Sequence, residues 1–134
     1  GKLSIFAKTY NGKLQKPLVT VKSGNKKLKK NKDYTITYKN NLHKGTATVI
    51  IKGKGNYEGI QEQADFSIHP QKITKVSIKG TKTKGFTLTY AKKVLKEETD
   101  YTMEYGAEQK NKVQVTITGK GDFTGTITKK LRIQ

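Results

Sequence analysis

Gly53-Lys54-Gly55-Asn56-Tyr57-Glu58-Gly59 returns later in the chain as Gly119-Lys120-Gly121-Asp122-Phe123-Thr124-Gly125. Both copies place glycine first, third and seventh, with an aromatic fifth. Each follows an alternating, β-branched run and precedes another. A phosphate-cradling reading of Gly-Lys-Gly needs a helix N-terminus just beyond the glycines to supply backbone donors. The pattern that follows here is β. The alternative is structural: the glycines take positive φ or admit close backbone approach, and the connection turns sharply. The aromatic then plugs the end of a small sandwich, as aromatic corners do in such folds. The exchange of Tyr57 for Phe123 favours packing, because a role that needs the hydroxyl would not survive it.

Working outward, the repeat divides the chain into residues 1–69 and 70–134. In the first copy, Leu3–Tyr10 alternates as a strand, and Pro17 opens a second strand through Lys22. Proline is tolerated at a first strand position, where no ladder donor is needed. Ser23-Gly24-Asn25 turns the chain into a short return strand ending at Leu28. Tyr34–Tyr38 puts Tyr34, Ile36 and Tyr38 on one face, Gly45–Lys52 is rich in β-branched residues, and Ala64, Phe66 and Ile68 share a face. His69-Pro70 is the linker, held extended before the proline. The second copy repeats the order with Ile73–Ile78, Phe86–Tyr90, Tyr101–Tyr105, Val113–Thr118 and Thr126–Ile133. The one stretch that permits a helix, Ala91–Glu98, aligns with a hairpin of the first copy. The reading is all-β: two tandem small antiparallel β-sandwich modules, with turns at regular spacing.

Composition bounds function mostly by exclusion. Modules this small have marginal cores, and with no cysteine they have no disulfide staple. No apolar run is long enough to span a membrane. The net charge is +18, from 28 basic and 10 acidic residues, and Arg132 is the only arginine. Lysine is a solvated point charge without the fork by which arginine reads guanine or clamps phosphate. A lysine surface either keeps a β protein soluble or draws it to a polyanion.

Candidate ligand contacts are the densest basic run, Lys26, Lys27, Lys29, Lys30 and Lys32, and two aromatics open to exposure, Tyr10 and Tyr90. The lysine run aligns with Lys96-Glu97-Glu98-Thr99-Asp100, which is largely acidic, so the fold does not require it. Exposed, coplanar Tyr10 and Tyr90 would make a sugar-stacking face, although tryptophan is absent. The aromatics Tyr34, Tyr38, Tyr101, Tyr105 and Phe66 share faces with apolar residues and read as core, which counts against base stacking. Asp33-Tyr34 and Asp100-Tyr101 open the central strands as Asx-type turns; a carboxylate serving a Lys–Asn isopeptide crosslink is the rarer alternative. His43 and His69 show no metal spacing, and no nucleophile elbow or calcium loop is present. Catalytic, metal and cofactor residues are therefore none, and an enzyme is the class with least support. Candidate partners on charge are an anionic cell-wall polymer or a glycan, with nucleic acid below them.

Asp33–Asn41, then Gly45-Thr46-Ala47-Thr48-Val49 and Gly53–Gly59, together resemble the tandem bacterial Ig-like repeats of Gram-positive, clostridial-type cell-surface proteins. The second copy departs from that pattern: Gly106-Ala107-Glu108-Gln109 replaces the Asn-Asn turn, Asn111-Lys112-Val113 replaces Gly-Thr-Ala, and Asp122-Phe123 replaces Asn-Tyr. The resemblance implies an Ig-like sandwich in each copy and a secreted or wall-associated chain. Such a chain spaces or presents neighbouring domains and in some cases binds a glycan or a host surface protein. It carries over no catalytic residue. The expected function is thus a non-catalytic structural or adhesion module, and the alternative is a carbohydrate-binding module appended to a secreted enzyme.

Overall fold

The computed structural model describes residues 5–134, and its architecture is all-β with no α-helix among them. The chain forms two compact units: one holds Lys13–His69 and the described residues before Thr9, and the other holds Pro70–Gln134 with Thr9–Gly12.

The first unit contains the Lys8 end of β1 (Lys8–Thr9), with β2 (Lys22–Ser23), β3 (Lys26–Lys27), β4 (Tyr34–Lys39), β5 (Gly45–Gly53) and β6 (Gln61–His69). Its main sheet runs in the order β1-β6-β5-β4. Alternation fixes which face is covered. Tyr34, Ile36 and Tyr38 pair with Gly53, Ile51 and Val49, and Ala47 and Val49 pair in turn with Phe66 and Ala64. Ala47, Val49, Ile51, Phe66 and Ile68 are buried, whereas Thr35, Thr37 and Lys39 face solvent. The strand expected from Pro17 forms only at Lys22–Ser23, which pairs with Lys26–Lys27 across Gly24-Asn25. The segment before it is tethered by isolated hydrogen bonds instead of a ladder, among them the Gln15 N–H to the Asn41 carbonyl at 2.7 Å. The Tyr38 hydroxyl donates to the Pro17 carbonyl at 2.8 Å, and buried Asn41 donates to the Gln15 carbonyl at 2.8 Å. Proline has no N–H for a ladder, and Leu18 is fully exposed. The strand expected over Leu3–Tyr10 is likewise reduced to Lys8–Thr9, with Phe6 exposed; Leu3 and Ser4 lie outside the described residues.

The second unit contains β7 (Gln71–Lys72), β8 (Ser77–Thr81), β9 (Gly85–Tyr90), β10 (Lys93–Val94), β11 (Tyr101–Gln109), β12 (Lys112–Gly119), β13 (Phe123–Thr124) and β14 (Thr126–Arg132). They form sheets β10-β9-β8 and β11-β12-β14 and a two-stranded pair β13-β7. That last pair is parallel, matching Phe123 with Gln71 and Thr124 with Lys72. The expected strand Ile73–Ile78 is broken: Ile73–Lys75 is a 3-10 turn, and the strand starts at Ser77. The turn lets Ile73 sink completely into the core after β7 has paired with β13. Gly106–Gln109 forms no turn. It extends β11 past a bulge between Tyr105 and Glu108, and the hairpin reverses at Lys110-Asn111, both at positive φ. Ala91–Glu98 begins as the end of the β9–β10 hairpin, turning through Ala91 and Lys92 at positive φ.

The glycines that open the repeated turn are required by space. A Cβ on Gly53 would overlap the Tyr57 carbonyl oxygen, and one on Gly119 would lie 2.6 Å from the Thr124 nitrogen. Gly106, by contrast, has an ordinary contact at 3.4 Å with the Gln114 side chain. Urea denaturation should therefore show Gly119→Ala destabilised by about 2–3 kcal/mol, as for an overpacked site. Gly106→Ala should stay within about 0.5 kcal/mol of the parent.

Candidate functional site

Two segments that the sequence repeats meet in each unit and hold one another. In the first unit, the Lys29 N–H donates to Asp33 Oδ2 at 2.8 Å, and the Asp33 N–H donates back to the Lys29 carbonyl at 2.8 Å. Asn31, at φ 69°, donates to the Tyr34 carbonyl at 2.7 Å. The Gly-aromatic turn docks on this loop: the Lys54 N–H donates to the Asp33 carbonyl at 2.9 Å, and Tyr57 donates to the Lys54 carbonyl at 3.1 Å. The second unit builds the same lock. Asp100 Oδ2 accepts from the Lys96 N–H at 2.8 Å, Lys120 donates to the Asp100 carbonyl at 2.9 Å, and Phe123 donates to the Lys120 carbonyl at 3.1 Å. Glu98, at φ 72°, stands where Asn31 stands in the first copy. Both aspartates thus close their loops on the backbone amide four residues earlier, in place of the expected Asx-type turn, which would bond backbone two residues on.

The five lysines Lys26, Lys27, Lys29, Lys30 and Lys32 are all exposed, on β3 and the loop that follows. The same loop geometry forms around acidic residues in the second unit, where Glu98 lies 4.0 Å from Lys120. Backbone shape in this loop is therefore independent of the sign of its side-chain charge. Beneath the first lock lies a small cavity of about 90 Å³ lined by Val21, Leu28, Tyr34, Ile51, Tyr57 and Ile60 among others.

Tyr10 and Tyr90 form no sugar platform. Tyr10 is 6% exposed and Tyr90 half-buried, and their planes are tilted by 30° with centroids 6.1 Å apart. Both rings meet Phe123 edge to face, at 5.5 and 5.3 Å. Such aromatic packing adds to the area buried. Gln71 ties the cluster together, donating from Nε2 to the Tyr10 carbonyl and to the Tyr90 hydroxyl at 3.2 and 3.1 Å. Phe123 of the repeated turn is thus a buried plug, whereas its counterpart Tyr57 remains half-buried over its small cavity. The tyrosines and the lysine run also fall in separate units.

One aromatic read as core is exposed. Tyr105 is 49% accessible, 6.5 Å from Phe86, with the Lys82 ammonium 5.0 Å from its ring centroid. Lys82 is also paired with Glu108. The place of β11 at the edge of its sheet is what the alternating pattern does not carry. Among the described residues, no three His, Cys, Asp or Glu side chains gather as a metal site, and no helix is long and apolar enough to cross a membrane. Comparison with protein-family models, with curated proteins and with solved structures gives no match for this chain.

Burial raises the Tyr10 phenol above its ordinary value, with Asp122, Asp100 and Tyr90 adding to the effect. Tyr38 is raised by burial and then by Tyr34; Tyr101 is raised by burial and then by Glu97, Tyr105 and Asp100. A phenol whose folded pKa is raised favours the fold while it is neutral. That contribution is complete below the unfolded value of about 10 and is lost as pH climbs through the folded value. In a tyrosinate absorbance titration, a group of late-titrating phenols should appear above pH ~10, their ionisation coinciding with loss of β-sheet signal. Tyr10→Phe should remove one of them and leave the rest.

Proposed function

We propose that this chain is a non-catalytic structural or adhesion module of a secreted or cell-wall-associated protein, built as two tandem Ig-like β-sandwiches of the Gram-positive surface-repeat kind. The observation that carries this reading is the duplicated lock. The residues that recur between copies, Asp33 and Asp100, Gly53 and Gly119, Tyr57 and Phe123, all serve backbone closure or packing. What the chain repeats is a scaffold, as expected of a spacer whose task is to hold length and stiffness. The exposed lysines keep this edge-rich β surface soluble and give it a bias toward anionic polymers. A second reading, glycan binding, draws no support from Tyr10 and Tyr90. It is favoured by a cationic, amide-bearing sheet face of the second unit, described below.

The spacer reading is tested by placing the chain between a fluorescent reporter and a wall anchor on a bacterial surface. The reporter should stay accessible to a bulky antibody. A Gly/Ser segment of equal length, which behaves as a flexible coil, should lower that accessibility. Equal accessibility with both linkers, or turnover of a wall glycan by the purified chain, overturns the reading.

A further inference from the structure

The outer face of the sheet β11-β12-β14 is settled by what lies under it. Val113, Val115 and Ile117 of β12 and Ile127 of β14 are buried, so Lys112 and Gln114 of β12 and Lys130 and Arg132 of β14 point to solvent. The register sets Lys112 directly opposite Arg132, and Gln114 opposite Lys130. The bulge in β11 brings Gln109 opposite Lys112, and Lys110 occupies the adjoining hairpin turn. A surface depression of about 350 Å³ is lined here by Ala107, Gln109, Lys110, Lys112, Gln114 and Lys130. None of these lining residues is acidic. Glu108 pairs with buried Val113, on the opposite side, and is tied to Lys82; Glu104 lies farther along β11, opposite Thr116.

Like charges placed directly across a sheet repel, yet Lys112 and Arg132 are held that way on a fixed frame. Asn111 accepts from the Ile133 and Gln134 N–H groups and donates to the Gln134 carbonyl. Lys82 and Thr83 donate to the carbonyls of Arg132 and Ile133 from the other side. Four cations and two side-chain amides are therefore presented together on backbone pinned at the Asn111 turn and at the C-terminal end of β14.

We propose that this face binds an anionic polysaccharide, the cations meeting its carboxylate or sulfate groups and the Gln109 and Gln114 amides its hydroxyls. Cross-strand spacing of about 5 Å and along-strand spacing of about 7 Å suit closely set anionic groups. The depression offers no aromatic ring for a nucleobase, which favours a sugar polymer over a nucleic acid. The proposal deepens the adhesion reading and rests on it for biological setting, but its test is separate, since a chain that binds nothing can still serve as a spacer.

Binding of the intact chain to heparin is measured at about 0.15 M salt, with dextran and a single-stranded oligodeoxynucleotide alongside. The variant Lys112→Gln/Lys130→Gln/Arg132→Gln is compared with Lys26→Gln/Lys27→Gln/Lys30→Gln, which removes the same charge from the first unit. The expected result is a loss of about tenfold or more for the first variant and under about threefold for the second, with dextran unbound. The salt slope should also be reduced more in the first variant. Equal losses from the two variants, oligonucleotide binding as tight as heparin binding, or no binding of heparin by the parent overturns the proposal. Should the triple variant unfold, the single exposed change Lys130→Glu gives the same comparison against Lys27→Glu.

Discussion

One backbone hydrogen bond, made twice, organises this protein: Lys54 to the Asp33 carbonyl, and Lys120 to the Asp100 carbonyl, each at 2.9 Å. It joins a loop closed by an aspartate to a turn opened by glycines. Each partner is shaped for it locally. The aspartate folds its loop back over four residues, and the first glycine leaves room for the turn to cross its own backbone. Small β units have few ways to fix their ends, because little apolar area is buried there. A lock made from main-chain groups supplies that fixity without a disulfide and tolerates change in the side chains around it. The exchange of a lysine-rich loop for an acidic one between copies is the direct expression of that tolerance.

The two units close their ends differently around the same lock. Phe123 is covered by Tyr10 and Tyr90, with Gln71 meeting the polar groups of the cluster, whereas Tyr57 stays half-buried above a small cavity. A Phe plug has to be covered completely, since it has no polar tip to leave in water, while a Tyr can keep its hydroxyl wet. The Tyr-to-Phe exchange therefore follows the local environment. The charged surface divides similarly. The lysine run that stands out in the linear sequence is a solvated loop, whereas the cationic cluster with defined geometry comes from Lys112 on one strand and Lys130 and Arg132 on the next, set side by side by strand register.

Much of the fold was legible where period-two patterning was strong. The alternation of Tyr34–Tyr38 and of Ala64–Ile68 put the less exposed residues on the expected face. The failures have identifiable causes. Pro17–Lys22 alternates, but Pro17 is held by the Tyr38 hydroxyl and Val21 by a single backbone bond from Leu28, and isolated tethers leave no periodic trace. Ile73, Val76 and Ile78 are spaced by three and then two, and the three marks the 3-10 turn that a single strand could not accommodate. Tyr105 keeps its register opposite buried Val115, yet it is exposed because β11 is the edge strand of its sheet, and position on an edge is not written in the alternation. Of the candidate contacts, the exposure of the lysines was readable because charged loops are solvated. The burial of Tyr10 was not, because its covering ring, Phe123, lies more than a hundred residues away.

The sequence by itself determined the all-β character, the duplication, and the role of the glycines. Those features depend on backbone sterics and on neighbours a few residues away. Tertiary structure alone decided which aromatic was plugged and which exposed, and which cations stood together. Those outcomes depend on strand register and on contacts between distant segments, and no local pattern encodes either. The Gly-aromatic turn shows both sides: its bend is written in its glycines, but whether its aromatic is sealed depends on what the rest of the chain brings over it.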